Sequence, residues 1–157
     1  MQFVELVGAS REIANVSART AKIERLAELL RRLQPGEVEA AIGLLSGEPR
    51  QGRIGLGGAL LHRLASTPTA EHPSVSLLAV DDVLQRFATT QGRGSAGERE
   101  RLLGSLFVAL TLEEREFLAR ACTGGLRQGA LEGIALEGLA RASGRSNTEL
   151  RLSLIHI

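Results

Sequence analysis

The chain has 157 residues and a formal net charge of +1, which fits one domain of ordinary size. Its 27 Leu and 20 Ala far outnumber its 8 Val and 7 Ile, and it has no Tyr or Trp. This composition predicts an all-α fold and excludes disorder for most of the chain. No apolar run is long enough to span a membrane, and the first ten residues do not form a secretion signal. The single cysteine, Cys122, fits a reducing compartment, so we expect a cytoplasmic protein.

Apolar residues recur at helical spacing in several segments. The pattern predicts an amphipathic helix over residues 18–34, ended by Pro35 and Gly36, and a second helix over residues 38–45. A third stripe runs from Val80 to Phe87, with Asp81 as its expected N-cap. Residues 66–77 are a predicted polar connector between a front and a back half.

The back half carries signals for helix starts. The pattern S/T-x-x-E, in which two side chains and two backbone N–H groups satisfy each other, occurs three times. The three pairs are Ser95 with Glu98, Thr111 with Glu114, and Ser146 with Glu149. Small residues between positions 131 and 142 predict a helix that packs closely on a neighbour.

Two glycine-rich turns, each expected between two helices, carry an Arg-x-Gly step. We call residues 51–58 the front turn and residues 123–129 the back turn. Their arginines, Arg53 and Arg127, lie 74 positions apart and predict a weak two-fold internal pseudo-repeat. The register of this repeat stays open, because Arg50-Gln51-Gly52 also matches Arg127-Gln128-Gly129.

These turns suggest an anion site. Glycine lets the backbone approach a ligand, free N–H groups at a helix start favour an anion, and arginine adds a charge-assisted contact. Two such turns on the same side of the domain could hold two points of a nucleic-acid backbone. The alternative is that the glycines only end helices and let them cross closely. No Lys-Ser or Lys-Thr follows the glycines and no strand precedes them, which argues against nucleotide binding.

Other kinds of site have weaker support. The three histidines, His62, His72 and His156, are scattered, and Asp81-Asp82 suits a helix cap better than a metal. We therefore predict no metal site and no catalytic residue. The 19 cations comprise 18 Arg and only Lys22. Arginine suits phosphate, but a GC-rich coding sequence gives the same bias.

Four segments resemble a known family in order and spacing. They are Ser17-Ala18-Arg19-Thr20-Ala21-Lys22-Ile23 continuing to Leu30, Leu44-Leu45-Ser46-Gly47, Arg53-Ile54-Gly55-Leu56-Gly57, and Gly125-Leu126-Arg127-Gln128-Gly129-Ala130-Leu131-Glu132-Gly133. The chain resembles, from about residue 3 to about residue 151, the N-terminal DNA-binding domain of ATP-dependent DNA ligases in the bacterial, actinobacterial-like form. The resemblance implies a compact, multi-helix, all-α domain over residues 1–151 that grips nicked duplex DNA through its backbone and minor groove.

The resemblance also implies which residues approach the DNA backbone. They are Arg53, Gly55 and Gly57 in the front turn and Gly125, Arg127 and Gly129 in the back turn, with Arg19 and Lys22 as weaker candidates. The family's adenylated lysine lies in a K-x-D-G motif, whereas Lys22 precedes Ile-Glu-Arg. The chain is therefore expected to be inactive alone. Adenylation and OB-fold domains, with ATP and Mg²⁺, would carry out the sealing reaction in DNA repair, replication or recombination.

The last residues depart from the family. Residues 152–157 are apolar where the family continues with a polar helix, so we expect a truncation or a sequencing artefact there and assign them no role. Two alternative functions remain open at the sequence level. One is a helical protein-interaction scaffold, and the other is a fragment of a helix-turn-helix regulator, suggested by residues 146–152.

Overall fold

A computed structural model describes residues 1–126 and 129–144, which form eight α-helices, one 3₁₀ helix (Pro35–Glu37) and no strand. The α-helices are α1 (Phe3–Asn15), α2 (Arg19–Arg32), α3 (Val38–Ser46), α4 (Gly58–Leu64), α5 (Leu77–Thr89), α6 (Ser95–Ala109), α7 (Leu112–Thr123) and α8 (Gly129–Ser143). The all-α prediction is confirmed. Within the described ranges, no helix is both long and apolar enough to cross a membrane.

One hydrophobic core joins the two halves of the chain. Phe3 of α1, Phe87 of α5 and Phe117 of α7 are completely or almost completely buried in it. The rings of Phe3 and Phe117 meet edge to face, with their centroids 5.7 Å apart. Burial of each ring stabilises the fold by about 1.5–3 kcal/mol. Because these rings come from both sides of the connector, the helices form one compact domain.

Helix α8 makes its most extensive contacts with α2. The apolar face of α2, with Ile23, Leu26 and Leu30, is buried as its periodicity predicts. Gly138 of α8 is also buried, and a Cβ atom built on it would lie only 2.9 Å from Cδ2 of Leu26. The predicted close packing of the small-residue helix is therefore confirmed.

The predicted N-cap at Asp81 is wrong. The N-cap of α5 is Ser76, five residues earlier, and the helix begins at Leu77, because the hydroxyl of Ser76 accepts a hydrogen bond from the N–H of Ala79. Asp81 therefore lies inside the helix, where it is 7% exposed. Only Leu77, the first residue of α5, lies in the predicted connector, which holds no helix over residues 66–76.

Of the three predicted capping boxes, one is confirmed. Thr111 and Glu114 exchange both hydrogen bonds at the start of α7. The box at Ser95 is wrong, because Ser95 is the first helical residue and Gly94 is the N-cap. Glu98 instead pairs with Arg101. The pair Ser146 and Glu149 lies outside the described residues, as do residues 152–157.

Apolar spacing and the S/T-x-x-E pattern did not predict helix α1. Its start carries a signal, since the carboxylate of Glu5 accepts a hydrogen bond from the N–H of Gln2 at 2.8 Å. Glu37 does the same for Gln34 at the 3₁₀ helix. A search for Q-x-x-E besides S/T-x-x-E would have found both starts. The internal pseudo-repeat and the boundary at residue 151 stay predictions.

Candidate nucleic-acid interface

A surface groove of about 750 Å³ lies between the front turn and the end of α7. Arg53, Gly55 and Gly57 line one side of it. The other side is formed by residues 122–124 and Leu126, which include the described start of the back turn. The fold thus brings parts of both turns to one surface.

The residues that lead into the front turn are tied to helix α5. Nε and Nη2 of Arg50 donate to the Asp81 carboxylate at 2.6–2.8 Å, and Nε2 of Gln51 donates to Oδ1 at 2.7 Å. The carboxylate raises the pKa of Arg50 above its ordinary value. Both arginines are exposed, but Arg50 is anchored to Asp81, whereas Arg53 has no partner among the described residues. The sequence carries no signal for this pair, because its members are 31 positions apart.

Burial alternates along the front turn. Ile54 and Leu56 point into the core, while Arg53, Gly55 and Gly57 face solvent. This alternation fixes the outward face of the turn, since the two apolar side chains hold the chain against the core.

Arg99 of α6 also anchors the front turn. Its guanidinium donates to the carbonyl of Ile54 at 2.6 Å and to the carbonyl of Phe87 at 3.2 Å, and stacks over the Phe87 ring. Gly55 has a φ of +73° and would bring a Cβ atom within 3.2 Å of that guanidinium. A side chain at Gly55 would therefore strain the backbone and crowd Arg99. This anchor, like Arg50, joins residues too distant in sequence to be predicted.

The back turn approaches the end of α3 at Gly47, which ends that helix. Its φ of +80° favours glycine, and a Cβ atom there would lie 3.0 Å from the carbonyl oxygen of Leu126. Gly47 thus ends a helix and permits close packing, but it belongs to neither glycine-rich turn. Within the turns, Gly124 ends α7, whereas Gly57 has open space where a side chain would be.

The back turn is described only in part. Gly124 ends α7 with a φ of +80°, and the N–H of Leu126 donates to the carbonyl of Arg120 at 3.2 Å. Gly125 lies against the side chain of Arg120, and Gly129 begins α8. Arg127, the predicted contact residue of this turn, lies outside the described residues.

Most arginines are engaged within the domain. In residues 1–126 and 129–144, all arginines but three form an ion pair with a carboxylate or donate to a backbone carbonyl. The three without a partner in those ranges are Arg53, Arg93 and Arg120. All three are exposed, and each stands in or beside a glycine turn. These are the cations of the described chain that are free to bind an outside anion.

The weaker candidates, Arg19 and Lys22, have internal partners. Arg19 donates to the carboxylate of Glu137 at 2.7 Å and so links α2 to α8. Nζ of Lys22 donates to the carbonyl of Ile13 at 3.1 Å, at the end of α1. Neither residue lines the groove.

Two further residues affect the chemistry of the groove. Glu48 lines it, is exposed and places a negative charge beside the front turn. Cys122 also lines it, and burial raises the pKa of its thiol to about 12. A thiol with such a pKa is protonated at neutral pH and is a poor nucleophile.

The family comparison decides the class of protein. A family model described as "DNA ligase N terminus" matches residues 62–140, about half of the chain. The chain belongs to the DNA ligase N-terminal family. The matched range includes the back turn and leaves out the front turn.

Curated relatives extend the match to the front turn. The chain is 44% identical over 156 residues to a "Probable DNA ligase" of Anaeromyxobacter sp., covering 99% of this chain and 30% of that protein. It is 43% identical over 143 residues to the "Probable DNA ligase" of Rhodococcus jostii, covering 91% and 28%. The "Probable DNA ligase" of Streptomyces avermitilis is 41% identical over 155 residues. The resemblance to bacterial DNA ligases, actinobacterial ones among them, is confirmed, and the chain spans less than a third of these relatives.

Proposed function

We propose that this domain binds double-stranded DNA without sequence specificity and positions a nick for sealing by a catalytic core outside these 157 residues. The observation that carries the proposal is an exposed Arg53, without a partner in the described part of the chain, in a groove that the front and back turns share. Membership of the DNA ligase N-terminal family indicates that DNA is the polyanion that such a groove would bind.

The contact residues follow from this surface. Arg53, Gly55 and Gly57 would approach one stretch of the sugar-phosphate backbone, and Gly125, Arg127 and Gly129 another. The helix after the front turn, α4, has only seven residues, so its dipole contributes little. Attraction would come mainly from the guanidinium groups, with backbone N–H groups fixing the register. Such contacts carry no base sequence, which is why we propose binding to any duplex.

The remaining parts of the proposal concern the longer protein. Adenylation and OB-fold domains of the same ligase would be the partners of this domain, and ATP and Mg²⁺ the cofactors of the reaction. The protein would act in the cytoplasm, at the nucleoid, in DNA repair, replication or recombination.

The test is binding of the 157-residue chain to fluorescent nicked and intact duplexes, measured by anisotropy at several salt concentrations. Replacing Arg53 by alanine removes one phosphate contact. We expect binding to weaken roughly tenfold for every duplex sequence, and the slope of log K against log[salt] to flatten by about one unit.

Glu48 and Arg11 provide matched controls. If the groove faces DNA, Glu48→Gln removes a repulsive charge and should tighten binding, the opposite of Arg53→Ala. Arg11→Ala makes the same charge change as Arg53→Ala on a surface residue paired with Glu113, and should alter binding little. If Arg53→Ala binds like the parent, or if Arg11→Ala weakens binding equally, the groove is not the interface.

The two alternative functions have different signatures. A scaffold whose turns only pack helices would give no salt-dependent DNA binding. A regulator would prefer one operator sequence over random duplex. The segment that suggested a regulator, residues 146–152, lies outside the described residues.

A further inference from the structure

We infer that the turn between α5 and α6, and Arg93 within it, is an additional contact for the DNA backbone beside the front turn. The inference rests on the proposed function and adds a residue that the sequence patterns did not single out. Arg93 is exposed and has no partner among the described residues.

The turn between α5 and α6 is similar to the front turn in sequence and in backbone conformation. Gln91-Gly92-Arg93 repeats Gln51-Gly52-Arg53, and both arginines follow a glycine with left-handed backbone, at φ +95° for Gly92 and +76° for Gly52. Gly94 then begins the next helix as its N-cap, also with left-handed backbone. Both turns therefore present an unpaired arginine from a glycine corner.

The front turn and the turn between α5 and α6 are also neighbours in the fold. The chain entering the front turn is bound to Asp81, in the first half of α5, and Ile54 is bridged through Arg99 to Phe87, near the end of α5. The front turn therefore runs along α5 toward the turn that holds Arg93.

The separation of the two turns follows from the same bridge. Arg99 lies four residues after Ser95, about 6 Å along α6, and Arg93 stands two residues before that helix begins. Because the end of the Arg99 side chain reaches Ile54, the backbones of the two turns are on the order of 10–20 Å apart. Two long arginine side chains at that distance can reach phosphates of one short stretch of duplex. The spacing makes the Arg93 turn a continuation of the proposed interface.

Arg93 also differs from a neighbouring arginine in its pairing. Arg86, on the same side of the connector as Arg93, pairs with Asp82 one helical turn away. Arg93 has no carboxylate on its own turn, since residues 90–97 contain no acidic residue. An unpaired guanidinium on an exposed turn keeps its full charge available for a phosphate.

The experiment compares Arg93→Ala, Arg93→Gln, Arg53→Ala and the double variant Arg53→Ala/Arg93→Ala in the salt titration with a nicked duplex of mixed sequence. We expect each single variant to flatten the slope by about one unit and the double variant by about two. Arg86→Ala is the control for loss of one charge near this turn and should leave the slope unchanged. Circular dichroism checks that every variant keeps its helices.

The outcomes separate this inference from the proposed function. If Arg53→Ala weakens binding while both Arg93 variants bind like the parent, the Arg93 contact is overturned and the groove stands. If the Arg93 and Arg86 variants lower the slope equally, the loss of any positive charge near this turn accounts for the effect. The Arg93 contact is then again overturned. If the parent chain binds no duplex, the proposed function itself fails.

Discussion

Replacing Gly138 by alanine tests how helices α2 and α8 are held together. The new Cβ atom would lie 2.9 Å from Cδ2 and 3.0 Å from Cγ of Leu26. Leu26 is completely buried, so a shift of its side chain must displace the side chains packed around it. Overpacking of this kind costs about 1–3 kcal/mol.

Gly133 provides the matched control on the same helix. A Cβ atom there would lie 3.7 Å from Nη1 of Arg19, an ordinary contact distance. Glycine to alanine in a helix interior gains about 1 kcal/mol at both positions. We therefore expect Gly133→Ala to stabilise the domain by about 1 kcal/mol, and Gly138→Ala to destabilise it by up to about 2 kcal/mol.

The assay is urea unfolding followed by circular dichroism, with the free energy of unfolding compared between the two variants. Their difference, about 1–3 kcal/mol, isolates the cost of the contact with Leu26, because the helix-propensity gain is common to both. In a Leu26→Ala background, which removes Cγ and Cδ2, Gly138→Ala should lose its cost. Equal stabilities for Gly133→Ala and Gly138→Ala would refute the close packing of α2 on α8.

Two further predictions concern the surroundings of the groove. Asp81→Asn weakens the anchor of Arg50 and should lower the free energy of unfolding by about 1–3 kcal/mol, whereas Asp82→Asn, at an exposed pair, should change it by less than about 0.5 kcal/mol. Similar thermal unfolding of the two variants would contradict the anchor. Cys122 should react with a disulfide reagent at pH 8 about 30- to 50-fold more slowly than a thiol with a pKa of 9.0, because a smaller thiolate fraction is partly offset by a more nucleophilic thiolate; guanidinium unfolding should remove this protection. Equal rates in the folded and unfolded chain would show that the thiol is not buried.

Local sequence patterns predicted those parts of the fold that depend on neighbours in the chain. Helix α2 follows from its apolar spacing, and the start of α7 follows from the reciprocal bonds of Thr111 and Glu114. The predictions failed where tertiary contacts decided the outcome, or where a helix starts with Q-x-x-E instead of S/T-x-x-E. Asp81 looked like a cap because aspartate often caps helices, but it lies inside α5 and binds Arg50, 31 positions earlier.

The sequence by itself determined the helical class, most helix positions, the two glycine turns and the resemblance to the DNA ligase N-terminal domain. Periodicity and capping act over a few residues, so they can be read along the chain. Only the tertiary structure decided which arginines are free. The resemblance implies a DNA contact for both Arg19 and Arg53, yet Arg19 meets Glu137 across the α2–α8 contact, whereas Arg53 faces the groove without a partner among the described residues. The reason is physical: an arginine is free or paired according to which carboxylates and carbonyls the packing brings within hydrogen-bonding distance.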